Sequence, residues 1–222
     1  MRASVTGLAL RPAGAPRPGR VDHVRAIDGL GLEGDIHAAA LSPRQLLLAD
    51  ASVYEDFSLP AHALGENLLL DLDTASLQSG AVLCIGDTVR LRLMFQCEAC
   101  GQLEAVQQGL ARRLGPRRGI LARVLRGGVI RHGDAVRELG VLHPPWSDDW
   151  RERVRRVLDA VPSGMVIEYR QLAHLAGIQS SYCRAFPRLL ARLGADYTCK
   201  AVTAQSSHSA ARWDGAGLFD CA

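Results

Sequence analysis

Two cysteines three positions apart, in Cys97-Glu98-Ala99-Cys100, are the most closely spaced thiols in the sequence. Such a pair is open to several chemistries. It can exchange between dithiol and disulfide, or supply half of a metal site shared with another chain. A single thiolate from it is a soft, anionic donor suited to a transition metal or to carrying a persulfide sulfur. The bland alternative is packing, since free cysteine behaves as a small, buried hydrophobe. Cys84, Cys183, Cys199 and Cys221 stand apart from one another. No second cysteine pair or histidine pair completes a structural zinc set. The apolar stretch Val5–Leu10 is too short for a secretory signal, so a cytoplasmic location and reduced thiols are expected. No run approaches a membrane span, and no membrane partner is expected.

The elements that must position these thiols change character along the chain. Up to about residue 142 the pattern is of short apolar or alternating runs: Ser4–Leu10, Gln45–Leu48, Asn67–Leu70, Ala81–Ile85, Thr88–Phe95, Leu121–Val124 and Ala135–Leu139. Gly-Asp turns punctuate them, including Gly34-Asp35, Gly86-Asp87 and Gly133-Asp134. Many short strands with such turns predict a barrel or sandwich. Helices are expected at Asp50–Asp56 and Leu103–Leu114. Residues 143–149, His143-Pro144-Pro145-Trp146-Ser147-Asp148-Asp149, read as a linker ending in a helix N-cap signal. From Trp150 onward the order becomes helix, short strand (Met165–Tyr169), helix and helix, that of a small winged-helix-like unit. The fold class is therefore mainly β and barrel-like, α+β overall, with a small C-terminal α-rich domain over residues 150–222.

Composition narrows the chemistry. The chain has 222 residues, 48% hydrophobic and 22% charged, an ordinary globular balance. A formal net charge of +3 is too small to announce nucleic-acid binding by itself. Lys200 is the only lysine among the basic residues, which leaves one position for a Schiff base and makes pyridoxal phosphate an unpromising cofactor.

The ordered set Gly31-Leu32-Glu33-Gly34-Asp35, Arg44-Gln45-Leu46, Gly65-Glu66-Asn67-Leu68, Leu83-Cys84-Ile85-Gly86-Asp87, Cys97-Glu98-Ala99-Cys100 and Arg118-Gly119-Ile120 through Gly133-Asp134 resembles the MOSC domain of molybdenum-cofactor sulfurases and related proteins. The resemblance covers roughly residues 1–142. It implies molybdopterin as ligand, with Cys97 as molybdenum ligand or sulfur carrier and Cys100 as its companion. Asp35 and Asn67, with the turn at Gly34, would shape the pocket, and Arg118 and Arg123 would pair with the cofactor phosphate. Several of these residues have simpler readings. Asp35 and Asp134 can serve their own turns, Glu66 can cap a strand end, and Arg117-Arg118 can be a solvated face. The activity implied is molybdenum-dependent reduction of N-hydroxylated compounds, fed by a redox partner, or sulfur transfer.

Arg153-Val154, Val157-Leu158, Val161-Pro162, Gly164, Val166, Tyr169 and Leu172-Ala173 resemble the DNA-binding domain of alkylguanine alkyltransferases and alkyltransferase-like proteins. That resemblance implies Tyr169 and Arg184 as residues acting on DNA or a modified base. Independently of it, Arg184, Arg188 and Arg192 recur at i, i+4 and i+8, a spacing that would put them on one exposed helix face able to meet phosphates. Pro187 must either start that helix or kink it. The family's cysteine-histidine-arginine motif is reduced to Cys199-Lys200-Ala201, so alkyl transfer is not expected. The alternative function is thus a DNA-binding sensor of alkyl damage without methyltransferase activity.

Overall fold

Leucine-rich runs such as Leu46–Asp50 build strands buried on both faces, because successive side chains point to opposite sides of the sheet. The computed structural model describes residues 3–98, 101–207 and 209–220. It divides into two units: residues up to Ala40 with Arg44–Trp146, and Leu41–Pro43 with Ser147 onward. The first contains β1 (Val5–Leu10), β2 (Gly19–Arg20), β3 (His23–Ile27), β4 (Gly31–Leu32), β5 (Leu46–Asp50), β6 (Leu68–Leu70), β7 (Ala81–Ile85), β8 (Val89–Gln96), β9 (Ile120–Arg126), β10 (Gly128–Arg131) and β11 (Val136–Val141). Two short helices, α1 (Ser52–Asp56) and α2 (Leu110–Leu114), lie among them.

Eight strands form one sheet in the order β11-β7-β8-β9-β5-β6-β1-β2. Neighbours are antiparallel except β5 and β6, which run parallel, so the sheet is mixed. The sheet curls into a half-barrel, and backbone hydrogen bonds join the start of β1 to the turn before β11. Val5 N–H donates to Asp134 O at 2.9 Å and Gly133 N–H to Val5 O at 2.8 Å. A second sheet, β10-β3-β4, accompanies it. Leu46, Leu48, Leu68, Leu70, Leu83, Leu91, Leu93, Ile120 and Ala122 share the main core. Burying each large side chain of this kind contributes roughly 2 kcal/mol. The opposite face carries a smaller core of Ala49, Val53, Leu64, Leu103, Leu110 and Leu114.

The helix expected over Leu103–Leu114 is two pieces, a 3₁₀ segment at Gly101–Ala105 and then α2. The break falls at Gly109, whose φ of 72° is left-handed. Glu104 fills the gap by accepting the N–H groups of Gly109 and Ala111. Strand β10 was not expected. The first half of the expected linker is also fastened to the first unit. Arg92 Nη2 donates to Pro144 O at 3.0 Å, Trp146 N–H donates to Ser79 Oγ at 2.7 Å, and the Trp146 ring is buried.

In the second unit Asp149 caps α3 (Trp150–Ala160) by accepting the Arg151 N–H. Then come β12 (Met165–Glu168), α4 (Tyr169–Leu175), α5 (Phe186–Leu193), α6 (Ala195–Thr198), β13 (Ala201–Val202) and β14 (Ala211–Arg212). Both β13 and β14 pair with β12 in parallel. Arg153 is buried and spends its donors on backbone carbonyls, those of Ser147, Asp148 and Ala176. One expectation is corrected: Arg184 does not share a helix with Arg188 and Arg192. It lies in a 3₁₀ segment, Ser180–Ala185, and α5 begins at Phe186 with Pro187 in its first turn. Proline fits there because the first N–H groups of a helix need no intrahelical acceptor.

Candidate functional site around Cys97

Strand β8 delivers Cys97 one residue past its end. The cysteine N–H donates to Gly119 O at 2.8 Å, which fixes it beside the start of β9. Gly119 has φ of +110°, and a Cβ there would sit 2.3 Å from Leu48 O, so only glycine allows the strands to approach this closely. The Cys97 side chain is 4% exposed. Arg44, just before β5, brings Nη2 to 4.0 Å from Cys97 Sγ. Cys100 lies outside the described residues, as does His208.

Arg44 connects the thiol to a small electrostatic group. His37, Asp35 and Arg11 are close enough to act on one another's charge with it. His37 is held below the ordinary histidine range, first by crowding from surrounding protein and then by the Arg44 and Arg11 charges; Asp35 opposes them. His37 is exposed all the same. Asp35 is buried and well supplied with donors. The Arg11 and His37 backbone N–H groups and Asn67 Nδ2 each reach it at 2.9 Å. Asn67 in turn accepts from Leu47 N–H at 3.0 Å and donates to Ala9 O at 3.3 Å. The structure therefore brings Asp35 and Asn67 into direct contact, as a hub joining β1, β5, the start of β6 and the Gly34 turn. Gly34 itself has φ of +79° and serves that turn.

Arg118 and Arg123 are both buried. Arg118 Nη1 donates to Leu64 O, and its Nε has no partner among the described residues. Arg123 stands on β9 across from Arg92. Glu66, read from sequence as a strand-end cap, is instead the centre of a buried network. It accepts from the Tyr54 hydroxyl, and His62 Nδ1 lies 2.8 Å from its other oxygen. Tyr54 also accepts the Leu64 N–H at 3.2 Å. Burial first, and then the Glu66 charge, push the Tyr54 phenol far up, so it remains a donor. Sequence reasoning missed Arg44, His37, Tyr54 and His62 as neighbours of the site. No local spacing encodes these contacts, apart from the i, i+4 relation of His62 and Glu66.

In the second unit Tyr169 packs edge-on against Phe186, with ring centroids 5.5 Å apart. Arg184, Arg188 and Arg192 are exposed. Cys199 is exposed, and its thiol lies 3.2 Å from Asp196 O. Lys200 donates to Leu158 O. Among the described residues no group of three or more His, Cys, Asp or Glu side chains is arranged to hold a metal ion. No helix among them is long and apolar enough to cross a membrane.

The half-barrel is consistent with a MOSC-type α+β fold. The family model described as the MOSC domain matches residues 37–137, a stretch that includes His37, Arg44, Asn67, Cys97, Arg118 and Arg123. Among solved structures, YuaD from Bacillus subtilis is similar with a TM-score of 0.54 and 20% identity over 61% of this chain and 94% of its own. YiiM from Escherichia coli is similar with a TM-score of 0.51 and 18% identity over 85% of this chain and 92% of its own. YiiM from Geobacillus stearothermophilus gives 0.50 and 16% over 85% and 99%. These likenesses establish the fold. No curated protein matches the chain in sequence.

Proposed function

We propose that this MOSC protein uses Cys97 to hold a molybdenum cofactor or to carry sulfur for one. The carrying observation is a nearly buried thiol within the MOSC match, with a guanidinium at 4.0 Å. The donor set suits such a group: a thiolate for a soft metal, and planar cations for a phosphate. The Nε of buried Arg118, without a partner among the described residues, is a further donor that an anion would satisfy. Cys97 would meet the metal, Arg44, Arg118 and Arg123 would meet the phosphate, and the Asp35–Asn67 hub would hold the loop that carries His37. When bound, the cofactor supplies two-electron redox chemistry. The activity we favour is reduction of N-hydroxylated compounds with a redox partner protein as electron source; the sulfur-carrier form would use Cys97 with Cys100 as resolving thiol. The test is expression with a cofactor source, followed by measurement of bound molybdenum and pterin. Wild type is expected to carry both and Cys97→Ala neither; equal loading sinks the reading.

A second reading, a DNA-binding sensor of alkyl damage or modified bases in the second unit, is favoured by the exposed Arg184, Arg188 and Arg192. It predicts salt-dependent DNA binding by the full chain. Arg184→Ala or Arg188→Ala should each lower the salt slope by about 1. A slope that neither substitution changes rejects these arginines as phosphate contacts.

A further inference from the structure

We propose that Tyr54, His62, Glu66 and Arg118 form a proton-sensitive latch that sets how firmly the segment following the cysteine pair is held. As a regulatory device it rests on Cys97 being the working sulfur, whereas the latch itself stands on geometry.

Leu64 is the pivot. It is fully buried and packs in the smaller core with Leu103, Leu110 and Leu114, which belong to the stretch immediately after the cysteine pair. Its two backbone polar groups are both held by the network, the N–H by the Tyr54 hydroxyl and the carbonyl by Arg118. Tyr54 is oriented by Glu66, and Glu66 by Tyr54 and His62. Arg118 immediately precedes Gly119, whose carbonyl fixes the Cys97 N–H. The network therefore reaches the segment after the cysteine pair through Leu64 packing, and the Cys97 backbone through Arg118-Gly119.

His62 is the movable part. Its φ of 58° is left-handed, a conformation that costs a non-glycine residue and persists only where contacts hold it. Its backbone O accepts the Gly65 N–H at 3.0 Å, and its ring meets the Glu66 carboxylate, buried to 1% exposure against 15% for His62. The charged groups facing the imidazole are Glu66 from its own loop and Arg20 from β2; beyond the carboxylate, Tyr54 on α1 holds Glu66, and the Arg118 charge before β9 acts on Tyr54. The Glu66 hydrogen bond and charge outweigh burial and Arg20, so His62 binds its proton more tightly than an ordinary histidine. A raised histidine stabilises the folded arrangement fully below its unfolded value and loses that contribution as pH rises through the folded value. The latch is thus tight below the ordinary histidine value and loosens as pH rises through the raised folded value. The Tyr54 hydroxyl keeps the carboxylate engaged, so the loop relaxes without unfolding.

The test is backbone hydrogen exchange on the full chain at about pH 6 and about pH 8, corrected for intrinsic rates, in peptides spanning 58–66 and 101–114. Wild type is expected to open several-fold more often at the higher pH in both peptides. His62→Asn removes the titrating group, while asparagine tolerates the left-handed backbone; its protection should be the same at both pH values. Glu66→Gln should open both peptides at either pH. If His62→Asn keeps the wild-type pH dependence, or wild type shows none, the latch is wrong. Loss of the exchange effect with intact molybdenum loading rejects the latch alone. The reverse outcome, an intact exchange effect without molybdenum in wild type, rejects the cofactor reading alone.

Discussion

Asn67 shows how much one amide can carry. It accepts one N–H, donates to a carboxylate and a carbonyl, and is 3% exposed. Asn67→Ala would leave Leu47 N–H, Ala9 O and one oxygen of Asp35 short of partners inside the protein. We expect a loss of roughly 3 kcal/mol in denaturant unfolding, with Asn67→Asp little better because it cannot donate. Tyr54→Phe keeps the ring but strands Leu64 N–H and an oxygen of Glu66, which should cost about 1–2 kcal/mol by the same measurement. Asp35 and Asn67 could be singled out from sequence because each follows a glycine-bearing turn or opens a strand. Their mutual contact spans 32 positions and could not be read locally. Glu66 was legible only as a polar residue before an apolar run. What makes it a network centre is burial, and burial depends on the helix and loop that fold over it.

At the level of elements, strands were legible where a short apolar run is closed by a Gly-Asp turn, as at Ala81–Ile85 with Gly86-Asp87. Strand β3 instead alternates in the burial of His23-Val24-Arg25-Ala26, and β10, which was not expected, pairs with it. The expected helix after the cysteines failed at Gly109, and the last apolar stripe divided at Pro187, each for a backbone reason visible in the residue type. Gly119→Ala tests the strand crossing next to Cys97. The new methyl would have to clear Leu48 O from 2.3 Å at a left-handed φ. We expect more than about 2 kcal/mol of destabilisation and faster labelling of Cys97 by a thiol reagent. In the second unit Asp149→Ala should cost about 1 kcal/mol by removing the cap of α3, read as a lower urea midpoint.

Over the whole molecule the two units should answer acid differently. His174 on α4 is pushed down by burial, so its contribution is present above the ordinary histidine value of 6.5 and lost as pH falls. His62 in the first unit has the opposite sign. Unfolding curves taken across this range should show His174→Gln flattening the acid-side loss, and His62→Asn destabilising the protein more in mild acid than in mild base. In mild acid the two changes should move stability in opposite directions; a common response to both would contradict the assignment. The Asp35–Asn67 hub has one more consequence, which concerns time. Its amide reaches partners 20, 32 and 58 positions away. Such contacts close only after β1, β5 and β6 are already side by side, so they belong to the last stages of folding. Substitution at Asn67 should therefore leave the refolding rate nearly unchanged and show itself as accelerated unfolding. The hub would then determine how long the first unit stays assembled more than how quickly it assembles.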